Sequence, residues 1–395
     1  MTTRYDVAVI GLGAMGSAAL SFLAARGVRV IGFEAASPAH GLGSSHGDSR
    51  LIRLGYFEDP SYVPLLHRAY ENWRSLETRL RERILHVTGV LQIGKPDSKI
   101  ITGTRASCDM HNLSCDELSA DQMRKRFPVF GLEDDEIALL DPQGGWLKPE
   151  AAIWGYLRMA AADGAALHMG TKVDQIDPDD NGVNIVAGEH TYRAGKVIVA
   201  TGSWISQLIP ALQNIANPIR QVVAWYRPAN GFATDPVRMP AFLRDEGENG
   251  SFFGFPEIGP DGVKIGRHAH FMESINPDAP NPAVNDADRA LLDTFAAKSL
   301  PGMNGRRVNE TTCRYTMLPG EDFLLDHLPG ENRVIVASPC SGHGFKFTSV
   351  IGEILADQAT KGGTDLPVDA FTFDRLIKAA EHAKATKTEG LVLPR

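Results

Sequence analysis

From residue 7 to residue 25 the chain carries no charge. On length alone such a stretch could cross a membrane or form the core of a signal peptide, but its internal pattern divides it. Residues 5–10 read as a buried parallel strand, 17–26 have helical spacing, and 28–33 form a second short apolar strand, with Gly27 stopping the helix between them. Further along, 62–83 is an amphipathic helix and 89–94 a strand. Ser119 followed by Gln122 has capping-box spacing and predicts a helix over 119–127. A helix over 150–164 is followed by strands at 166–169, 172–176, 183–186 and 196–199. Aromatic-rich strands at 222–226, 252–255 and 263–266 suggest an antiparallel unit, after which 323–326 and 334–337 return to buried-strand composition and 349–361 is a closing helix.

Between the first strand and helix lies Gly11-Leu12-Gly13-Ala14-Met15-Gly16, and the second strand ends at Glu34. Strand, G-x-G-x-x-G, helix, strand and acid in register predict dinucleotide binding. Gly11 makes the tight turn, Gly13 lets a pyrophosphate approach the backbone, Gly16 lets helix and strand pack closely, and Glu34 accepts from a ribose hydroxyl. An acid there disfavours NADP and leaves NAD and FAD open. Ala200-Thr201-Gly202 ends a later strand and suggests a second approach to the same dinucleotide.

Composition narrows the class. Of 395 residues, 43% are apolar and 22% charged, which excludes a disordered or collagen-like chain. A net charge of -8 argues against nucleic acid or anionic membrane as a partner. Only 4 Cys occur, too few for a disulfide scaffold, which fits a reducing, cytoplasmic setting. The ending Val392-Leu393-Pro394-Arg395 carries no peroxisomal signal. Cys108, His111 and Cys115 supply too few ligands for a metal site, and their segment reads as surface, while Cys340 reads as packing.

Three strings are more specific: Gly43-Ser44-Ser45-His46-Gly47-Asp48-Ser49-Arg50-Leu51-Ile52-Arg53, Thr312-Cys313-Arg314-Tyr315-Thr316, and Ser341-Gly342-His343-Gly344-Phe345-Lys346-Phe347. In this order, behind the N-terminal motif, the chain resembles the monomeric sarcosine oxidase and N-methyltryptophan oxidase family over essentially its whole length. The resemblance implies an α/β, p-hydroxybenzoate-hydroxylase-like FAD-binding domain (1–86, 146–220 and 323–395) interleaved with an antiparallel β substrate domain (87–145 and 221–322). It implies FAD held covalently through Cys313, with Gly11, Gly13, Gly16, Glu34, His46, Val173, Gly202, Gly342, Gly344 and Phe345 also at the cofactor. Arg53 and Lys346 take the substrate carboxylate, a role suited to a planar guanidinium and a point charge. The resemblance also implies that Arg50 lies against the flavin, that Lys264 assists the reaction with oxygen, and that His268 and Tyr315 line the substrate cavity.

The expected reaction is oxidation of an N-methyl amino acid to an imine that water hydrolyses, with dioxygen reduced to hydrogen peroxide by a monomeric enzyme. Ala224-Trp225-Tyr226, Gly254-Phe255-Pro256 and Glu321-Asp322-Phe323 lean toward the N-methyltryptophan branch. Ser45 and Phe253 depart from the family's histidine and tyrosine, which alters the pocket and leaves sarcosine, a cyclic imino acid or a sugar-modified amino acid open. An NAD-linked dehydrogenase and a noncatalytic flavin-binding subunit are the rival readings.

Overall fold

The computed structural model describes residues 4–229, 232–303 and 306–389, so the ending at 392–395 lies outside it. The uncharged stretch divides into strand Arg4–Ile10 and helix Ala14–Ala25, followed by strand Val30–Glu34. Among the described residues no helix is long and apolar enough to cross a membrane.

Arg4–Ile10 pairs in parallel with Val30–Glu34 on one side and His190–Val199 on the other. Glu331–Ala337, from late in the chain, runs parallel beside His190–Val199, and Ala166–Met169 adds to the far side of Val30–Glu34. The inner half of the first strand, Val7 to Ile10, is continuously apolar because both its faces are covered. Val7 and Val9 pack with helices Ala14–Ala25, Pro149–Ala162 and Thr348–Lys361, while Ala8 and Ile10 pack into a separate cluster with Ile205, Leu212 and Phe373. Two of those helices meet through small residues: a Cβ on Gly352 would lie 2.6 Å from the Ala18 Cβ.

A second eight-stranded sheet runs in the order Arg307–Met317, Asn217–Tyr226, Val263–Arg267, Ser251–Phe255, Ala241–Asp245, Val90–Gly94, Ile137–Asp141, Asp116–Ser119. It is antiparallel except where Ala241–Asp245 joins Val90–Gly94 in parallel. The capping box is present: Ser119 Oγ accepts from Gln122 N at 3.3 Å and Gln122 Oε1 accepts from Ser119 N at 2.8 Å, worth about 1 kcal/mol to its short helix.

Several expectations are corrected. The strand expected at 172–176 is Gln175–Asp179, which leaves Thr171 to Asp174 free to line a cavity. The strand expected at 323–326 is Leu325–Leu328. Helices Lys99–His111, Asp286–Ser299 and Phe373–Glu389 were not legible. The first of them carries Cys108 into the interior, so the 108–115 segment is not simply surface.

Candidate active site

The turn after the first strand opens a cavity of about 400 Å³ between the two sheets' connecting segments. Gly11, Gly13, Glu34, Val173 and Gly202 line it, as do Arg50, Tyr315, Gly342, Gly344 and Phe345. Gly11 has φ +86°, and a Cβ there would lie 2.6 Å from the Ala200 carbonyl oxygen. A Cβ on Gly13 would meet nothing within 4 Å, so that backbone is open to a ligand. Gly16 stands behind the wall, where a Cβ would lie 1.8 Å from Gly11 O; its role is packing. Glu34 closes the second strand and accepts from Leu12 N at 2.9 Å and Ala36 N at 3.0 Å. Burial alone would raise its carboxyl, but bonds from His40 and Ala36 outweigh burial and hold it below the ordinary range. Cys340, expected only to pack, also stands on this wall, and its Sγ accepts from Thr316 N at 3.4 Å.

Beyond the wall, Arg50 begins strand Arg50–Ile52, so it and Arg53 are not on a helix. Its guanidinium donates to Ser44 O at 2.6 Å and His46 O at 2.7 Å, folding the 44–49 turn around itself. Glu150 fastens the same turn by accepting from Gly47 N at 2.6 Å. Lys264 reaches in from the second sheet and donates to Gly47 O at 2.5 Å and Ser49 O at 3.2 Å. Burial first, and Arg50 second, bring Lys264 down to about 7, and the same two causes bring His46 down to about 4. The His46 Nε2 is buried and has no hydrogen-bond partner among the described residues, an unusual state for an interior polar atom. Cys313 is buried on strand Arg307–Met317, two residues from Tyr315; burial raises its thiol, while Arg50 and Lys264 pull it back. His46 itself is not on the cavity's lining, but an open glycine backbone at a helix start and the Glu34 carboxylate at the end of the next strand, both on the wall of the cavity of about 400 Å³, fit a dinucleotide cofactor.

The second cation pair centres on Tyr56. Arg53 Cζ sits 4.7 Å from the centre of its ring and Lys346 Nζ 5.2 Å from it, a cation–π arrangement on a fully buried ring. Lys346 Nζ donates to His343 O at 2.6 Å. The His343 Nε2 faces Glu321 O at 2.8 Å, which makes it the N–H, so Nδ1 accepts from the Tyr56 hydroxyl at 2.5 Å. Burial keeps that imidazole neutral, at about 4. Arg53 is 1% exposed, with Nη2 on Glu58 Oε2 at 2.5 Å and Nε on Gln92 Oε1 at 3.2 Å. Burial opposes ionisation of Glu58, but Arg53, His343 and Lys346 hold it at about 2. Burial and the neighbouring Arg53 bring Lys346 down to about 7. His268 and Tyr315 stand 5.7 Å apart, ring centre to ring centre, and both would collide with a Cβ on Gly342, whose φ is +78°.

Sequence reasoning missed Tyr56, Glu58, Gln92, Asp141 and Glu150. Asp141 accepts from Leu54 N at 2.7 Å and Gly55 N at 3.1 Å, fixing the backbone just after Arg53. Nothing near any of these residues in sequence marks them, since their partners are mostly distant.

Known proteins place this geometry. A family profile described as FAD dependent oxidoreductase matches residues 6–358. A monomeric sarcosine oxidase from Streptomyces avermitilis is 37% identical, covering 96% of this chain and 100% of its own. An N-methyl-L-tryptophan oxidase from Salmonella agona is 36% identical, covering 90% of this chain and 95% of its own. Among solved structures, the open form of NikD, an unusual amino acid oxidase essential for nikkomycin biosynthesis, superposes with a TM-score of 0.82 at 27% identity, covering 94% of this chain and 98% of its own. Geobacillus kaustophilus glycine oxidase shares the fold at 20% identity and a TM-score of 0.76, covering 94% and 98%. With the cavity, the glycine turn and this whole-length likeness together, the chain belongs to the monomeric sarcosine oxidase and N-methyltryptophan oxidase family of FAD-dependent oxidoreductases acting on CH–NH groups.

Proposed function

We propose that this enzyme oxidises N-alkyl amino acids with a free carboxylate, sarcosine and N-methyl-L-tryptophan being the first candidates. The observation that carries the reading is the convergence of Arg53 and Lys346 on the Tyr56 ring, beside the Gly344 and Phe345 wall of the cavity. A guanidinium can grip a carboxylate in a bidentate way and a lysine adds a point charge. Two cations also favour the neutral form of the substrate amine, the form able to release hydride. Gly11, Gly13, Glu34, Val173 and Gly202 would hold FAD, which would supply a hydride acceptor and a route for the electrons to dioxygen, with hydrogen peroxide as the product. Lys264 supplies positive charge where oxygen is reduced, and Arg50 supplies it at the cofactor's edge. His268 and Tyr315 shape the substrate space.

We assign Cys313 as the covalent attachment point. It is buried near Tyr315, and Arg50 and Lys264 favour its thiolate, the form that attacks an electrophilic carbon. A cytoplasmic monomer, testable by size exclusion, completes the reading. A peroxide-coupled screen over N-alkyl amino acids, read beside the visible spectrum, tests the substrate class. Peroxide should appear with N-methyl amino acids and not with their esters. A colourless protein producing no peroxide would instead fit an NAD-linked dehydrogenase, and a yellow one producing none a noncatalytic subunit. Acid precipitation should leave the colour in the pellet, and Cys313→Ala should release it to the supernatant.

A further inference from the structure

Helix Lys99–His111 forms the back of the segment carrying Arg53, Tyr56 and Glu58. A Cβ on Gly103 would lie 2.2 Å from Phe57 O, and one on Gly55 would meet the Thr104 side chain at 3.1 Å. Ser107 Oγ donates to Tyr56 O at 2.5 Å. One residue further, Cys108 is buried; the helix ends at Asn112 in a left-handed turn, where Leu113 N donates to Cys108 O at 2.9 Å. That turn brings Cys115 back, with its Sγ 3.5 Å from where a Gly55 Cβ would stand. Thr104, one turn before Cys108 on the same helix face, meets that same Gly55 position at 3.1 Å, which brings Cys115 beside the face that carries Cys108. Cys115 is half-buried, which gives small solutes access to the pair, and both sulfurs are free.

We propose that Cys108 and Cys115 are a peroxide-oxidisable dithiol, a modification site that couples the enzyme's own product to the backing of its carboxylate-binding segment. The source of peroxide rests on the function proposed above. A thiolate of the pair attacks peroxide, forming an S–O bond and breaking O–O, and the departing hydroxide leaves as water. The second thiol then attacks the sulfenic sulfur, forming S–S and breaking S–O with loss of a second water. Two sulfurs supply the two electrons that reduce one peroxide. The neighbouring Cys115 lowers the Cys108 thiol, while Cys108 and burial raise that of Cys115, dividing the pair into a readier nucleophile and its partner. Drawing the sulfurs into a covalent bond shifts the turn against Gly55, two residues from Arg53.

The test uses the flavin-loaded enzyme, alkylated and digested after turnover of N-methyl-L-tryptophan in air, with and without catalase, and after added hydrogen peroxide without substrate. We expect a Cys108–Cys115 crosslink in the catalase-free and added-peroxide samples, reversed by dithiothreitol. We also expect a several-fold higher KM in the crosslinked enzyme with kcat nearly unchanged. Cys115→Ser should abolish the crosslink and the KM change; if Cys108→Ser fails to fold, this half-exposed variant still decides. Free thiols at both positions after added peroxide, separate overoxidation without a crosslink, or a crosslink with unchanged KM would each overturn the proposal. A crosslink with added peroxide but none during turnover leaves the dithiol chemistry standing and counts against the oxidase reading.

Discussion

Glu58 holds the Arg53 guanidinium at 2.5 Å, so the cation meant for a substrate carboxylate already has a carboxylate partner. A substrate must therefore compete with a side chain of the protein. Glu58→Gln removes the competitor and leaves Arg53 without its ionised partner. Glu58 also supports the Lys346 proton, so the comparison belongs well below pH 6, where dissociation constants of carboxylate ligands should fall by about tenfold, equivalent to about 1.4 kcal/mol. The free variant should melt lower than the parent, and saturating ligand should restore much of the difference. Thermal melts with and without an amine-free carboxylate read both effects, and unchanged affinity would show that Arg53 does not meet the ligand.

Lys346 loses its proton near pH 7, because burial and Arg53 both oppose its charge. Its positive charge is present below that pH and lost above it. The Kd of an amine-free carboxylate such as indoleacetate should rise between pH 6 and 8.5, reaching a plateau near the value for Lys346→Met. In that variant the slope should disappear. Titration of the visible spectrum measures it without turnover.

Lys264 is also poised near 7. Its charge favours oxygen reduction below that value, so the reoxidation rate constant should decline as pH rises through 7. Lys264→Met should slow reoxidation at least a hundredfold, about 2.7 kcal/mol of lost transition-state stabilisation, and largely spare reduction by substrate. Stopped-flow measurement of the two half-reactions separates them; equal loss in both would refute the assignment.

Arg220 lies opposite Arg314 in the second sheet, on the other face from Cys313 and Tyr315, and forms with Asp288 a buried ion pair that also takes in His270, with side chains 1% and 0% exposed for the pair itself. Asp288→Ala leaves the guanidinium only the exposed carboxylate of Glu273, at 3.5 Å, and unfolding in urea at pH 7 should show a loss of about 3 kcal/mol. Burial raises the Asp288 carboxyl, but Arg220, the Asn285 backbone and His270 together outweigh burial and hold it at about 2. The stability gained from this depressed value is present above the unfolded carboxyl's ordinary range and is lost as pH falls toward 2. The gap between parent and variant should narrow over that interval, with kcat at neutral pH retained by the folded fraction.

The cofactor end of the site was legible because its parts are consecutive: strand, glycine turn, helix, strand and Glu34 lie within one stretch, each with a local backbone demand. The clamp was legible only in its cations. Glu58 is five residues beyond Arg53, but Gln92 and Asp141 reach the same segment from the second sheet, and no spacing rule connects them. Helix Lys99–His111 escaped because Thr104, Ser107 and Cys108 are three of its five buried residues, set against the backbone of 55–57 in place of a broad apolar stripe. The 172–176 strand was misplaced by the same cause in reverse. Val173 is apolar because it lines the cavity, not because it pairs in the sheet.

The central sheet receives Glu331–Ala337 beside His190–Val199 only after most of the chain exists, and Gly342, Gly344 and Lys346 follow that strand directly. On the ribosome, the glycine turn at residues 11–16 emerges early, yet the part of its cavity lined by residues 337–345 must wait until more than three hundred further residues have been made. Cofactor capture is therefore a late event in the life of the chain. A nascent protein arrested before residue 331 should remain colourless, whatever the supply of FAD, and would leave the apolar faces of its first strand to chaperones.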